Sequence, residues 1–151
     1  MEFYHSMGCG CDTCETDHGP RPFLTNIMHA ASQNPNFRTA FWTGHHLQMT
    51  LMSIPPCGEI GAEMHADTDQ FIRVEAGTAI IRMGTCKEQL DSQHRLHSGD
   101  AVFVPCGTWH NVINSSNCPL KLSSIYAPSQ HPRCTVHRTK EDAAKETHQV
   151  Y

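Results

Sequence analysis

The sequence predicts an all-β domain, a sandwich or barrel, and three observations carry that prediction. Short runs of β-branched and aromatic residues recur between residues 37 and 126, with Gly, Pro or Asn-Ser clusters between them. The runs follow one another too closely for an alternating α/β fold. The chain has 151 residues, enough for one domain with a real core, and neither an internal repeat nor a long linker divides it.

Taken in order, residues 1–36 form an irregular N-terminal arm. In it, Cys9-Gly10-Cys11-Asp12-Thr13-Cys14 has a thiol spacing that can share a tetrahedral zinc, with His5 or His18 as a fourth ligand; the alternative is a solvated arm of reduced thiols. Met28-His29-Ala30-Ala31 is a short-helix candidate and Asn34-Pro35-Asn36 a turn. Phe37, Thr39, Phe41 and Thr43, then Leu47, Met49, Leu51 and Ser53, read as two strands around a turn at Gly44-His45-His46. Pro55-Pro56-Cys57-Gly58 ends the second. Further strands are expected at 60–65, 70–75, 78–83, 89–97, 101–104, 110–113 and 120–126, with Asn114-Ser115-Ser116-Asn117 as a hairpin turn. The barrel thus spans 37–130. In the tail, 131–151, Thr139 with Asp142 three residues on marks the start of a short helix.

Apolar residues make up 38% and charged residues 17%, with a net charge of -4. Nothing in this balance calls for nucleic acid or an anionic membrane as partner. No apolar run approaches the roughly 18 residues of a membrane span. The N-terminus lacks the pattern of a signal peptide, so a cytoplasmic location is expected. Eight cysteines without a secretory signal favour metal or free thiols over a disulfide framework. The scattered Cys57, Cys86, Cys106, Cys118 and Cys134 are expected to be small buried hydrophobes.

The chemistry concentrates between Gly58 and Asn114. In a strand, alternate side chains share a face, so Glu63 and His65 point the same way. A carboxylate and an imidazole inside a barrel need a partner, and a divalent cation is the natural one. Gln70 can return from the next strand and His110 from a separate one, which completes a mixed N/O set suited to Zn, Fe, Mn, Ni or Co. Such a set leaves positions open, as catalytic sites do. Candidate catalytic side chains are His46, Gln48 and Tyr126, with His45, Arg73 and His131 as further polar lining. Alternation turns Arg73 away from Gln70.

Two motifs then carry a family resemblance. Gly99-x5-Pro105-x-Gly107-x2-His110-x3-Asn114 matches the second signature of the cupin superfamily, and Cys57, Glu63, His65, Gln70 and Gly77 occupy the positions of an altered first signature. More narrowly, residues 37–132 resemble the small single-domain cupins of the mannose-6-phosphate isomerase-like group. The resemblance implies a double-stranded β-helix jelly-roll barrel, a metal on Glu63, His65, Gln70 and His110, and a homodimer. It further implies a small oxygen-rich substrate, with sugar isomerisation expected first. Iron- or nickel-dependent dioxygenation and plain ligand binding are the alternatives.

Overall fold

The structure is a computed structural model and describes residues 14–147. Its order is α1 (Ile27–Gln33), β1 (Arg38–Thr43), β2 (Gln48–Ile54), β3 (Asp69–Ala76), β4 (Ala79–Gly84), β5 (Ser92–Leu96), β6 (Ala101–Val104), β7 (Trp109–Asn114), β8 (Leu120–Ala127), β9 (Val136–His137) and α2 (Lys140–Thr147). The strands form a six-stranded sheet, β6-β3-β8-β2-β1-β9, and a three-stranded sheet, β5-β4-β7, with every pairing antiparallel. This is the predicted jelly roll.

Alternation fixes what each strand buries. Met52 and Ile54 of β2, Ile72 and Val74 of β3, and Leu120 and Leu122 of β8 point inward from the large sheet. They meet Ala79 and Ile81 of β4, Val112 of β7 and Leu96 of β5. The outer face of the large sheet is covered by α1, which opens on an Asn26 side chain accepting from the His29 amide at 2.9 Å. Beneath it Arg73 pairs with Glu75 at 3.1 Å, and Ser123 donates to Glu75 at 2.7 Å. Arg73 therefore does face away from Gln70. At the other end of the chain, Thr139 Oγ1 accepts from the Asp142 amide while the Asp142 carboxylate accepts from the Thr139 amide, a reciprocal cap that starts α2 as expected.

Several expectations need correction. Residues 114–117 do not close a hairpin, because β7 and β8 lie in different sheets and the turn crosses between them. Asn114 pins that crossing, donating to the carbonyls of Ile54 and Cys118 and accepting from Ser116. The segment 60–65 is extended but not a continuous strand, since Gly61 at φ 99° interrupts its ladder. The pair β9–β1 was not foreseen.

Cys14 is not a zinc ligand: it forms a disulfide with Cys134, 120 residues away. Cys9, Cys11 and His5 lie outside the described residues. The arm next to this disulfide is held by Asp17, whose carboxylate accepts from the amides of Gly19, Thr43 and Cys134 and from the Thr43 hydroxyl. His18, offered as a zinc ligand, instead stacks on Phe23 at 4.1 Å. Cys57, Cys106 and Cys118 are exposed rather than buried. Among the described residues no helix is long and apolar enough to cross a membrane.

Candidate metal centre

The segment from Gly58 to His65 runs antiparallel beside β7, and this places the site. Glu63 and His110 exchange backbone hydrogen bonds at 2.9 Å in both directions, so they are directly opposed, and Gly107 donates to the His65 carbonyl at 2.8 Å. Opposed residues project to one face, and His65, two residues on, joins them. The ligand-capable atoms of Glu63, His65 and His110 all lie within 4.8 Å of one another. Glu63 Oε1 stands 3.4 Å from His110 Nε2 and 3.6 Å from His65 Nε2, longer than good hydrogen bonds.

His110 is oriented from behind. Its Nδ1 lies 2.9 Å from the Thr108 carbonyl, which can only accept, so Nδ1 carries the proton and the Nε2 lone pair faces the site. Burial opposes charge on this ring, but Glu63 and the Thr108 carbonyl outweigh it and raise its pKa. Burial likewise works against the Glu63 carboxylate, yet the two histidines and the Arg38 charge hold it well below the usual range.

A single observation tests whether a metal fits. Among the described residues, the buried side-chain polar atoms without a hydrogen-bond partner are Glu63 Oε1, His65 Nε2, His110 Nε2, Gln70 Oε1, Tyr126 Oη, Thr50 Oγ1, His131 Nε2 and Arg38 Nε. All but Arg38 Nε belong to one end of the barrel, where Gln48, Tyr126 and Gln70 share a rung of the ladder. Each orphaned atom costs on the order of 1–3 kcal/mol if nothing meets it. Two imidazole nitrogens and a carboxylate oxygen among them form a donor set for a borderline divalent ion. The residues fit a metal.

The other sequence candidates fare differently. Gln70 is buried; its Nε2 donates to Ser124 at 2.9 Å, which turns the carbonyl into the unpartnered acceptor. Tyr126 is fully buried, edge-on to His65 at 5.5 Å and to His131 at 5.3 Å. Burial and the Glu63 charge raise its phenol pKa, while Arg38 acts against the rise. Gln48 is spent on structure: it donates to Thr43 and the His131 carbonyl and accepts from the amides of Gln130 and His131. It positions the 130–131 segment rather than facing a ligand. His45 and His46 are exposed on the β1–β2 turn and do not line the cavity beside the triad.

That cavity holds about 430 Å³ and is lined by Phe37, Ile60 and Met64, by Arg38 and His131, and by α2. Burial, helped by the Arg38 charge, pushes the His131 imidazole down to about 3, so it stays neutral. Sequence reading missed Arg38, His137 and Glu146. Arg38 stands among the aromatic and β-branched residues that mark its strand, and Phe37, just before the strand, lines the same cavity. A bulge between Ala40 and Trp42 also resets the register there.

A family model described as a cupin domain matches residues 50–126. The chain belongs to the cupin family. Among relatives of this cupin, the uncharacterized protein YrkC of Bacillus subtilis is 54% identical over 127 residues, covering 84% of this chain and 68% of YrkC. The uncharacterized protein L612 of Acanthamoeba polyphaga mimivirus is 43% identical over 111 residues, 73% of this chain and 68% of its own. The crystal structure of BH2720 from Bacillus halodurans superposes with a TM-score of 0.85 at 52% identity, covering 86% of this chain and 98% of that one.

The glycines of the two signatures now have a physical reason. Gly77, Gly99 and Gly107 take φ values of 91°, 93° and 79°, a region that side chains disfavour. Cys57, at the first signature's leading glycine position, keeps the left-handed conformation at φ 64°.

Proposed function

We propose that this cupin is a mononuclear metal-dependent enzyme that oxidises a small molecule with dioxygen. The observation that carries the reading is the convergence of two imidazoles and one carboxylate on one side of a half-apolar cavity. Glu63, His65 and His110 would hold the ion, with Gln70 Oε1 as a weak fourth donor. Iron(II) bound there supplies one-electron chemistry with dioxygen, the reaction class for which two histidines and one carboxylate are the known set. The chain does the rest. Phe37 and Ile60 give the cavity an apolar wall beside the triad. His131, held neutral by burial, presents an uncharged imidazole to the cavity, and the Tyr126 hydroxyl keeps its proton.

Sugar isomerisation of the mannose-6-phosphate type is the second reading, favoured by a set of two imidazoles and one carboxylate that suits zinc or manganese as well as iron. It ranks lower because Lys121, one of the central cations, is tied to Asn34 and Ser53 on the outer face.

Metal analysis of untagged protein beside His110→Ala tests the site: about one equivalent per chain is expected, and its loss in the variant. Iron(II) reconstitution with an oxygen electrode and a panel of small thiols, diketones and hydroxy acids tests the reaction. Oxygen uptake with iron and none with zinc supports oxidation; turnover of sugar phosphates with zinc or manganese selects isomerisation. A chain that binds no metal under any reconstitution is a ligand-binding module.

A further inference from the structure

Arg38 is the buried cation of this cavity. It is 5% exposed, yet among the described residues it makes no ion pair with any carboxylate. Its Nη1 donates to His137 Nδ1 at 3.3 Å, and His137 Nε2 in turn donates to Glu146 of α2. The Nε–H is buried with no partner at all. A desolvated guanidinium without a counter-ion is among the least favourable things a fold can contain. Neither packing nor the His137 bond neutralises it. Phe37 offers only a ring face 5.4 Å away.

Charge at the site points the same way. Glu63 is a carboxylate whose charge interacts with Arg38, and a divalent ion on the triad would claim it; Glu146, the other carboxylate lining the cavity, is engaged by His137. The loaded cavity is then net positive, with Arg38 on its wall beside His131. Lys140, the other cation lining it, already faces Glu59 at 3.9 Å at the rim.

We infer that Arg38 anchors the carboxylate of a small organic acid, whose remaining atoms reach the Glu63–His65–His110 triad. The inference rests on the proposed enzyme reading for the role of the cavity. A planar carboxylate matches the free Nε edge of the guanidinium through two parallel hydrogen bonds, which a point cation does not offer. A phosphate would need further donors or a second free cation. The cavity, about 430 Å³, is of the size that holds small-molecule ligands and admits a short-chain acid together with a larger organic portion.

The test titrates pyruvate, glycolate and succinate, their neutral amides, and inorganic phosphate into the full chain, both metal-free and zinc-loaded. Arg38→Gln and Arg38→Lys are run beside it, with circular dichroism and zinc content as controls. The acids are expected to bind and the amides not. Affinity should fall about 10- to 100-fold in Arg38→Gln and less in Arg38→Lys. Should Arg38→Gln fail to fold, the wild-type Nε–H nuclear magnetic resonance signal, identified by its loss in Arg38→Lys, serves instead and should shift during the titration. Unchanged affinity in Arg38→Gln, an unmoved Nε–H signal, no binding by any acid, or tighter binding by phosphate overturns the inference. Acid binding through Arg38 by a chain that takes up no metal leaves the anchor standing and removes the enzyme reading.

Discussion

The two ends of the barrel are built from the same strands and share nothing in energetics. Along the inward face, β2 runs from Gln48 and Thr50 to Met52 and Ile54, β3 from Gln70 to Ile72 and Val74, and β8 from Leu120 and Leu122 to Ser124 and Tyr126. The apolar end is closed and contains no unmet polar atom among the described residues. The other end holds seven of the eight that exist, and the eighth, Arg38 Nε, comes from a residue opposite Met52 that lines the cavity beside the triad. One period of alternation thus serves two purposes: one half of each strand stabilises the fold, and the other half stores unmet donors and acceptors for a ligand.

Mutation should separate the halves. Leu122→Ala, at the apolar end, is expected to lower stability by about 2–5 kcal/mol in urea unfolding without changing metal content. Thr50→Val, at the polar end, removes a buried hydroxyl beside the Tyr126 phenol at nearly constant volume and should stay within about 1 kcal/mol of the parent in the metal-free chain. Similar losses in both would mean that the ends do not differ.

Acid should act on the polar end alone. His131 titrates near 3 when folded and at 6.5 in its ordinary state, so the unfolded chain binds more protons between those values. Stability of the metal-free chain therefore falls as pH drops from 6.5 towards 3, by at most about 1.4 kcal/mol per pH unit for one group. The lowered Glu63 adds a loss below its ordinary 4.5. The raised His110 contributes stability that is full below 6.5 and fades above it. Urea midpoints across this range should flatten in His131→Gln, and an unchanged slope there would remove His131 as the cause.

The smallest effect concerns a turn. Cys57 is exposed, so Cys57→Gly gives up little packing and relieves a positive φ. A gain of up to about 1 kcal/mol is expected, while Gly107→Ala, which introduces the same kind of strain, should lose a comparable amount by thermal unfolding.

Much of this was legible in the residues. Strict alternation announced the strands, and the spacing of Glu63, His65 and His110 announced which side chains would meet. What escaped depends on contacts remote in sequence. The Cys14–Cys134 pairing spans 120 residues, and no local pattern encodes such a partner. Arg38 sits one position from the aromatic residues that marked its strand, so its inward direction follows only from the partner strands. Gln48 had the right type for chemistry, but its hydrogen bonds are consumed by backbone that arrives 82 and 83 residues later.

The Cys14–Cys134 bond also changes what the molecule is as a covalent object. Strands β1 to β8 and α1 lie inside the ring that it closes, while β9 and α2 belong to the segment beyond residue 134 that hangs from it. One backbone cut between those positions opens the ring without parting it. A chain nicked there by a protease keeps its full mass and comes apart only when a reductant is added.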